Sequence, residues 1–396
     1  MRTKIILIQF IFFLISIPIF ITGCSESNNS ASLPEDFPKI TVNVSDNPAP
    51  GFIFLSNFGG GISPYLIIIN ENAYPVFYRK MDTLALLDFK VLKNGVLSYY
   101  DYFNNTFVLL NNFFKEIRRI KSINYSSTDG HELRLLDNGN VIFLIYNPRE
   151  HVDLSSFGGS VDGTVIDLVI QEIDPSDKVV WEWNSKDYFL IDDSVALFSE
   201  PFDYIHGNAI EIESDGNILL SSRNLSEITK IRRVKNPDGT GTIGEIIWRM
   251  GGLKSKHREF TFIDDPLDGF SYQHCIRRLP NGNIILYDNG NDHSPQLSRA
   301  VEYKIGEVNK TARLVWEYRG FPTTFSSFMG SVQRLSNGNT LINWGFDAGL
   351  THNITEVRPD GSIALDISLQ KGCYTYRAYK FKLIDWVWSL DPEATR

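Results

Sequence analysis

Seven histidines stand in this chain of 396 residues, and three of them keep step with a repeated phrase. His131 and His274 each lie eight residues before a turn glycine, Gly139 and Gly282. His206 lies ten before Gly216, and in a fourth copy Gly330 takes the place eight before Gly338. An imidazole can attack as a nucleophile, carry a proton or ligate a metal near neutral pH. Other polar groups gather at the same strand ends: Asn208, Arg223, Asp288, Asn289, Arg299 and His352. Arg223 follows Gly216 by seven residues and Asn289 follows Gly282 by seven, so both mark the far end of a second strand. His352 stands in a glycine-bracketed loop, residues 345–353. Several histidines with arginines and no carboxylate dyad fit an anionic, tetrahedral group, because Arg and protonated His hold oxyanions while a neutral His can attack. Ligation of Zn²⁺ or Cu²⁺ is a rival reading. Against it, no carboxylate or thiolate recurs in the histidine phase, and the arginines would repel a cation. Each histidine also has a plainer reading, as a hydrogen-bonded cap on a strand end. There is no nucleophile elbow, no P-loop and no dinucleotide fingerprint. Asp288-Asn-Gly-Asn-Asp292 departs from calcium-loop spacing and reads as a turn.

The elements that must position these groups are legible as a repeat. Around Gly139, Gly216, Gly282 and Gly338, an apolar, β-favouring run leads into an (Asn/Asp)-Gly-Asn turn and a second apolar run. A weaker copy surrounds Gly95. After the stronger hairpins comes another pair of runs, three of which end in a tryptophan phrase: Val180-Trp-Glu-Trp183, Ile247-Trp-Arg-Met250 and Val315-Trp-Glu-Tyr318. Two hairpins per repeat make a four-stranded antiparallel blade, and unevenly spaced copies of one unit signal a propeller. From Gly51 to near Leu383 there is room for six blades of roughly 55 residues. The expected fold is therefore an all-β, six-bladed propeller with the histidines ringed around its channel.

Outside the propeller, Met1–Gly23 reads as a lipoprotein signal peptide: Arg2 and Lys4, then an apolar run ending in Ile21-Thr-Gly-Cys24. Acylation of Cys24 would anchor the chain to a membrane outside the cytoplasm. Residues 24–49 read as a flexible tether with an edge strand over Phe37–Val44, residues 50–388 as the propeller and 389–396 as a tail. Cys275 and Cys373 are left as buried thiols or a disulfide. A net charge of −9 and the lack of a basic face exclude nucleic acid as a partner. A non-catalytic surface propeller that binds a glycan or a protein remains an alternative, since fold does not fix function.

Seven phrases, in order over most of residues 50–380, resemble the bacterial PAPS-independent arylsulfate sulfotransferases. They are Asp203-Tyr-Ile-His-Gly-Asn208, Ser221-Ser-Arg-Asn224, Tyr272-Gln-His274, Leu286-Tyr-Asp-Asn-Gly290, Ser298-Arg-Ala-Val-Glu-Tyr303, Trp316-Glu-Tyr318 and Tyr376-Arg-Ala378. The resemblance implies a sulfuryl group passed from a phenolic sulfate ester to an acceptor phenol through a sulfated histidine, with ping-pong kinetics and no cofactor or metal. It implies that His206 and His274 bind sulfuryl oxygens or assist proton transfer, and that His352 is the nucleophile. The family places an arginine soon after the Asp-Asn-Gly phrase; here the first one is Arg299. Arg223, Asn208, Asn289, His131 and Arg377 complete the expected substrate contacts.

Overall fold

The computed structural model describes residues 33–320, 323–346 and 352–382. The expected signal peptide, Cys24 and the expected tail lie outside the described residues. From Asp36 onward the chain forms one compact unit, and its strands make six sheets, each built on four antiparallel strands, around a common channel.

The hairpin phrases are the inner halves of the blades. Blade 2 runs Leu86–Val91, Leu97–Asp101, Thr106–Leu110, Glu116–Ile120 from the channel outward. Blade 3 is Leu133–Leu135, Val141–Val152, Gly163–Ile173, Val179–Asn184, and blade 4 is Gly207–Ile212, Ile218–Ser222, Glu227–Ile231, Ile246–Gly251. Blade 5 is His274–Arg278, Ile284–Asp288, Arg299–Gly306, Thr311–Tyr318, and blade 6 is Ser331–Arg334, Thr340–Asn343, Ile354–Val357, Ile363–Leu369. Blade 1 is closed by both ends of the propeller: Ala378–Phe381 is its inner strand, beside Phe52–Ser56, Tyr65–Ile69 and Pro75–Lys80. Two sheets gain a fifth strand. Ile40–Ser45 pairs antiparallel with Ile363–Leu369, and Thr261–Ile263 pairs parallel with Thr311–Tyr318.

The turn chemistry explains the repeat. Gly139, Gly216, Gly282 and Gly338 have φ of 82°, 81°, 84° and 91°, a region that side chains with a Cβ avoid. Each donates its N–H to the carbonyl three residues back, which closes the turn and fixes the register of the inner hairpin.

Burial explains why the strands read as apolar runs rather than as alternating ones. Six apolar clusters fill the six blade junctions among the described residues. In Ile218–Ser222, Ile218 and Leu220 pack toward blade 3 while Leu219 packs toward blade 5, because successive side chains leave opposite faces. The tryptophan phrases lie on outer strands and tie blades together. Trp183 Nε1 donates to the Gly244 carbonyl of blade 4 at 3.0 Å, and Trp248 Nε1 to Glu307 of blade 5 at 3.1 Å.

Candidate active site

The three in-phase histidines meet. His131 precedes the inner strand of blade 3, His206 precedes that of blade 4, and His274 opens that of blade 5. With Arg223, Tyr376, Phe58 and Phe328 they line a cavity of about 460 Å³ at the end of the channel where the inner strands begin. The His131 and His206 rings lie edge to face with centroids 4.9 Å apart, and Tyr146 lies within 5.6 Å of both. The fourth copy has glycine because a Cβ on Gly330 would come within 2.4 Å of the Tyr287 ring.

The backbone is bent to aim these groups. His206, Tyr272, Cys275 and Met329 all have φ between 52° and 64°, which costs about 1–3 kcal/mol each for residues other than glycine. The inner strands of blades 4 and 5 carry bulges at Gly207/Ala209 and His274/Arg277, and bulges re-aim side chains at rims. His206 is pinned by its own carbonyl, which accepts the Arg223 N–H at 3.0 Å.

Each imidazole has a different setting. Asp203 Oδ2 takes His206 Nδ1 at 2.5 Å, and Asp203 Oδ1 takes the His206 backbone N–H at 2.9 Å. Nδ1 is thus the protonated nitrogen and Nε2 the free lone pair. Burial holds His206 below the ordinary histidine value despite Asp203, with His131 and Arg223 pushing the same way, so the ring is neutral at pH 7. Asp129 brackets His131 Nδ1 at 2.8 and 2.9 Å. His274 uses both nitrogens. The Asn289 amide donates to the carbonyls of Ser326 and Met329, so Asn289 Oδ1 accepts from His274 Nδ1 at 2.7 Å, and His274 Nε2 accepts the Met329 N–H at 3.3 Å. Burial pushes His274 well below the usual histidine range. Neutral and doubly engaged, it has no N–H left for a sulfuryl oxygen and no lone pair left for a metal. Among the described residues no three or more His, Cys, Asp or Glu are grouped to hold a metal ion.

Arg223 is the one arginine or lysine among the lining residues. It donates to Asn224 Oδ1 at 2.7 Å and to the Ser327 carbonyl at 3.0 Å, and its guanidinium stands 4.7 Å from the Tyr272 ring centre. Its Nε–H has no hydrogen-bond partner, and none of the described ion pairs includes it. Burial pulls it below the usual arginine value. A buried cation without a carboxylate is costly unless an anion joins it.

The remaining expected residues fall elsewhere. Asn289 positions His274. Asn208 bridges inner strands, its amide donating to the Gln273 carbonyl at 2.7 Å. Arg377 is fully buried beneath the cavity, paired to Asp88 and Glu132 at 3.0 Å, with Lys90 and Arg277 on the same carboxylates. This cluster plugs the channel. Arg299 does not reach the cavity: it opens the third strand of blade 5, two strands out from the channel, and binds Asp288, Asp265 and Glu317. His352 is not among the residues that line the cavity. It stands just before the third strand of blade 6 and its Nδ1 contacts Asp366 on the fourth, while residues 347–351 of its loop lie outside the described residues. Cys275 and Cys373 are free, buried thiols.

Asp129 and Asp203, outside the expected site residues, orient two of these imidazoles. Their signal was a carboxylate two or three residues before an in-phase histidine, in Asp129-Gly-His131 and Asp203-Tyr-Ile-His206.

The arylsulfotransferase (ASST) family model matches residues 42–380. The chain belongs to the arylsulfotransferase family. No curated protein sequence matches it. Among solved structures, a protein of unknown function from Bacteroides caccae is similar at 14% identity and a TM-score of 0.52, over 84% of this chain and 100% of that one. A virginiamycin B lyase from Staphylococcus aureus is similar at 11% identity and a TM-score of 0.43, over 83% and 88%. At these identities the first likeness concerns the fold alone. Membership of the family implies a sulfotransferase with small phenolic substrates.

Proposed function

We propose that the chain transfers a sulfuryl group from a phenolic sulfate ester to an acceptor phenol through a sulfated His206. One observation carries this reading: a neutral, carboxylate-oriented imidazole shares an aromatic-walled cavity with a guanidinium that has no carboxylate partner. In the first half, the His206 Nε2 lone pair attacks sulfur, the N–S bond forms and the aryl S–O bond breaks. In the second half the acceptor oxygen attacks the same sulfur and the N–S bond breaks, returning neutral His206. Charge gathers on the outer oxygens in such loose transition states. Arg223 is the donor that meets it, replacing the arginine expected after the Asp-Asn-Gly phrase. The aromatic walls hold the aryl rings, and His274 with Asn289 forms a fixed, neutral floor. Acylation of Cys24 would hold this site at a membrane surface outside the cytoplasm.

Incubation with 4-nitrophenyl sulfate tests the reading. Nitrophenol release that stops at one equivalent without phenol and continues when phenol is added, with parallel double-reciprocal lines, is the expected result. No release at any donor and acceptor concentration would overturn it.

A further inference from the structure

We propose that His131, held by Asp129, carries the phenolic proton in both half-reactions, as a catalytic acid–base residue distinct from the attacking His206. This rests on the sulfuryl-transfer reading above. The leaving oxygen of the first half and the attacking oxygen of the second occupy the same place, opposite the N–S bond. A single proton carrier therefore serves both.

The lining residues leave one candidate for it. His274 has both nitrogens engaged by Asn289 and Met329. Tyr376 directs its hydroxyl at the Asn208 carbonyl, and burial raises its pKa well above that of a free phenol. Arg223 does not release its proton. Tyr102 stands at the mouth with half its surface exposed. His131 remains. Asp129 takes its Nδ1–H through both oxygens and also accepts its backbone N–H at 3.0 Å. The ring is locked in place with Nδ1 protonated, so Nε2 is the nitrogen that gains and loses a proton. No hydrogen bond falls on that nitrogen among the described residues. Its ring is 4.9 Å from that of His206, centre to centre, so both can work on one bound ester.

The protons balance. In the first half, protonated His131 gives its Nε2 proton to the departing aryl oxygen as the S–O bond breaks, and the phenol leaves neutral. In the second, neutral His131 takes the proton of the acceptor phenol as its oxygen bonds to sulfur. The proton given up by His131 in the first half is thus recovered in the second, and His206 is free again.

The role predicts a dependence on the leaving group. A 4-nitrophenolate departs with little help, whereas a phenolate whose acid has a pKa of about 10 needs its proton. In His131→Asn, kcat/KM with 4-nitrophenyl sulfate should fall about tenfold or less, and with phenyl sulfate about 10²–10⁴-fold. The sulfuryl adduct should still form on His206 from the nitrophenyl donor. His131→Gln supplies a second variant, with folding of both checked by circular dichroism. An equal loss across the donor series, or none, would overturn the role of His131 and leave the transferase reading intact. An adduct found on a His131 peptide would overturn it too. A wild-type protein that transfers from no donor would instead overturn the reading beneath it.

Discussion

Arg223 and Arg299 occupy the same end of neighbouring blades, and the protein surrounds them in opposite ways. Arg299 is fully buried and saturated. Its Nε donates to Asp288, its terminal nitrogens to Asp265, Glu317, the Gly269 carbonyl and Tyr303. Although burial opposes its charge, Tyr303 and these carboxylates hold it well above the usual arginine value. Arg223 is also largely buried but meets only neutral oxygens, one ring face and a cavity. The saturated guanidinium has no donor left for a ligand and serves the fold. The under-coordinated one is what an anionic substrate completes.

The largest effect that sharpens this contrast is on stability. Arg299→Met strands Asp265, Asp288 and Glu317 around an empty centre and should destabilise the protein by about 3–5 kcal/mol in urea unfolding. Its folded fraction should keep normal turnover. Arg223→Met should do the reverse, lowering kcat/KM by about 10²–10³-fold, or roughly 3–4 kcal/mol of transition-state stabilisation, with an unfolding midpoint equal to or above wild type. If both variants lost stability and activity together, the contrast would fail.

How much of this was legible in the sequence follows from where the information sits. The inner-strand phase of His131, His206 and His274 is local: a turn glycine fixes the register, and alternation carries it to the strand end. The switch between Arg223 and Arg299 is not local. Arg299 sits on a third strand, and its partner Asp265 comes from the connection between blades 4 and 5, 34 residues away. Arg223 starts the loop after a second strand, which curls over the channel mouth to Ser327, 104 residues on. Likewise nothing in the loop of His352 announces Asp366, which faces it only once blade 6 is folded.

Smaller effects test the buried imidazoles. The pKa of both His206 and His274 is lowered, chiefly by burial, so below pH 6.5 the unfolded chain binds protons that the folded one refuses. Stability should fall as pH drops through that range, by up to about 1.4 kcal/mol per pH unit for each group. His274→Gln should flatten the slope measured between pH 7.5 and 5.5. An unchanged slope would show that His274 is protonated in the folded state. The smallest effect belongs to His352→Ala. Losing one part-exposed pair with Asp366 should cost about 0–1 kcal/mol, with turnover within about twofold of wild type. A collapse of turnover in that variant would return His352 to the mechanism.

The central claim is that His206 accepts the sulfuryl group beside Arg223. Brief exposure to 4-nitrophenyl sulfate without acceptor, followed by peptide mass analysis, tests it directly. The account predicts a sulfuryl mass increment on the peptide carrying His206, lost on adding phenol and absent in His206→Asn. An increment on the His352 peptide, or one that persists in His206→Asn, would contradict it.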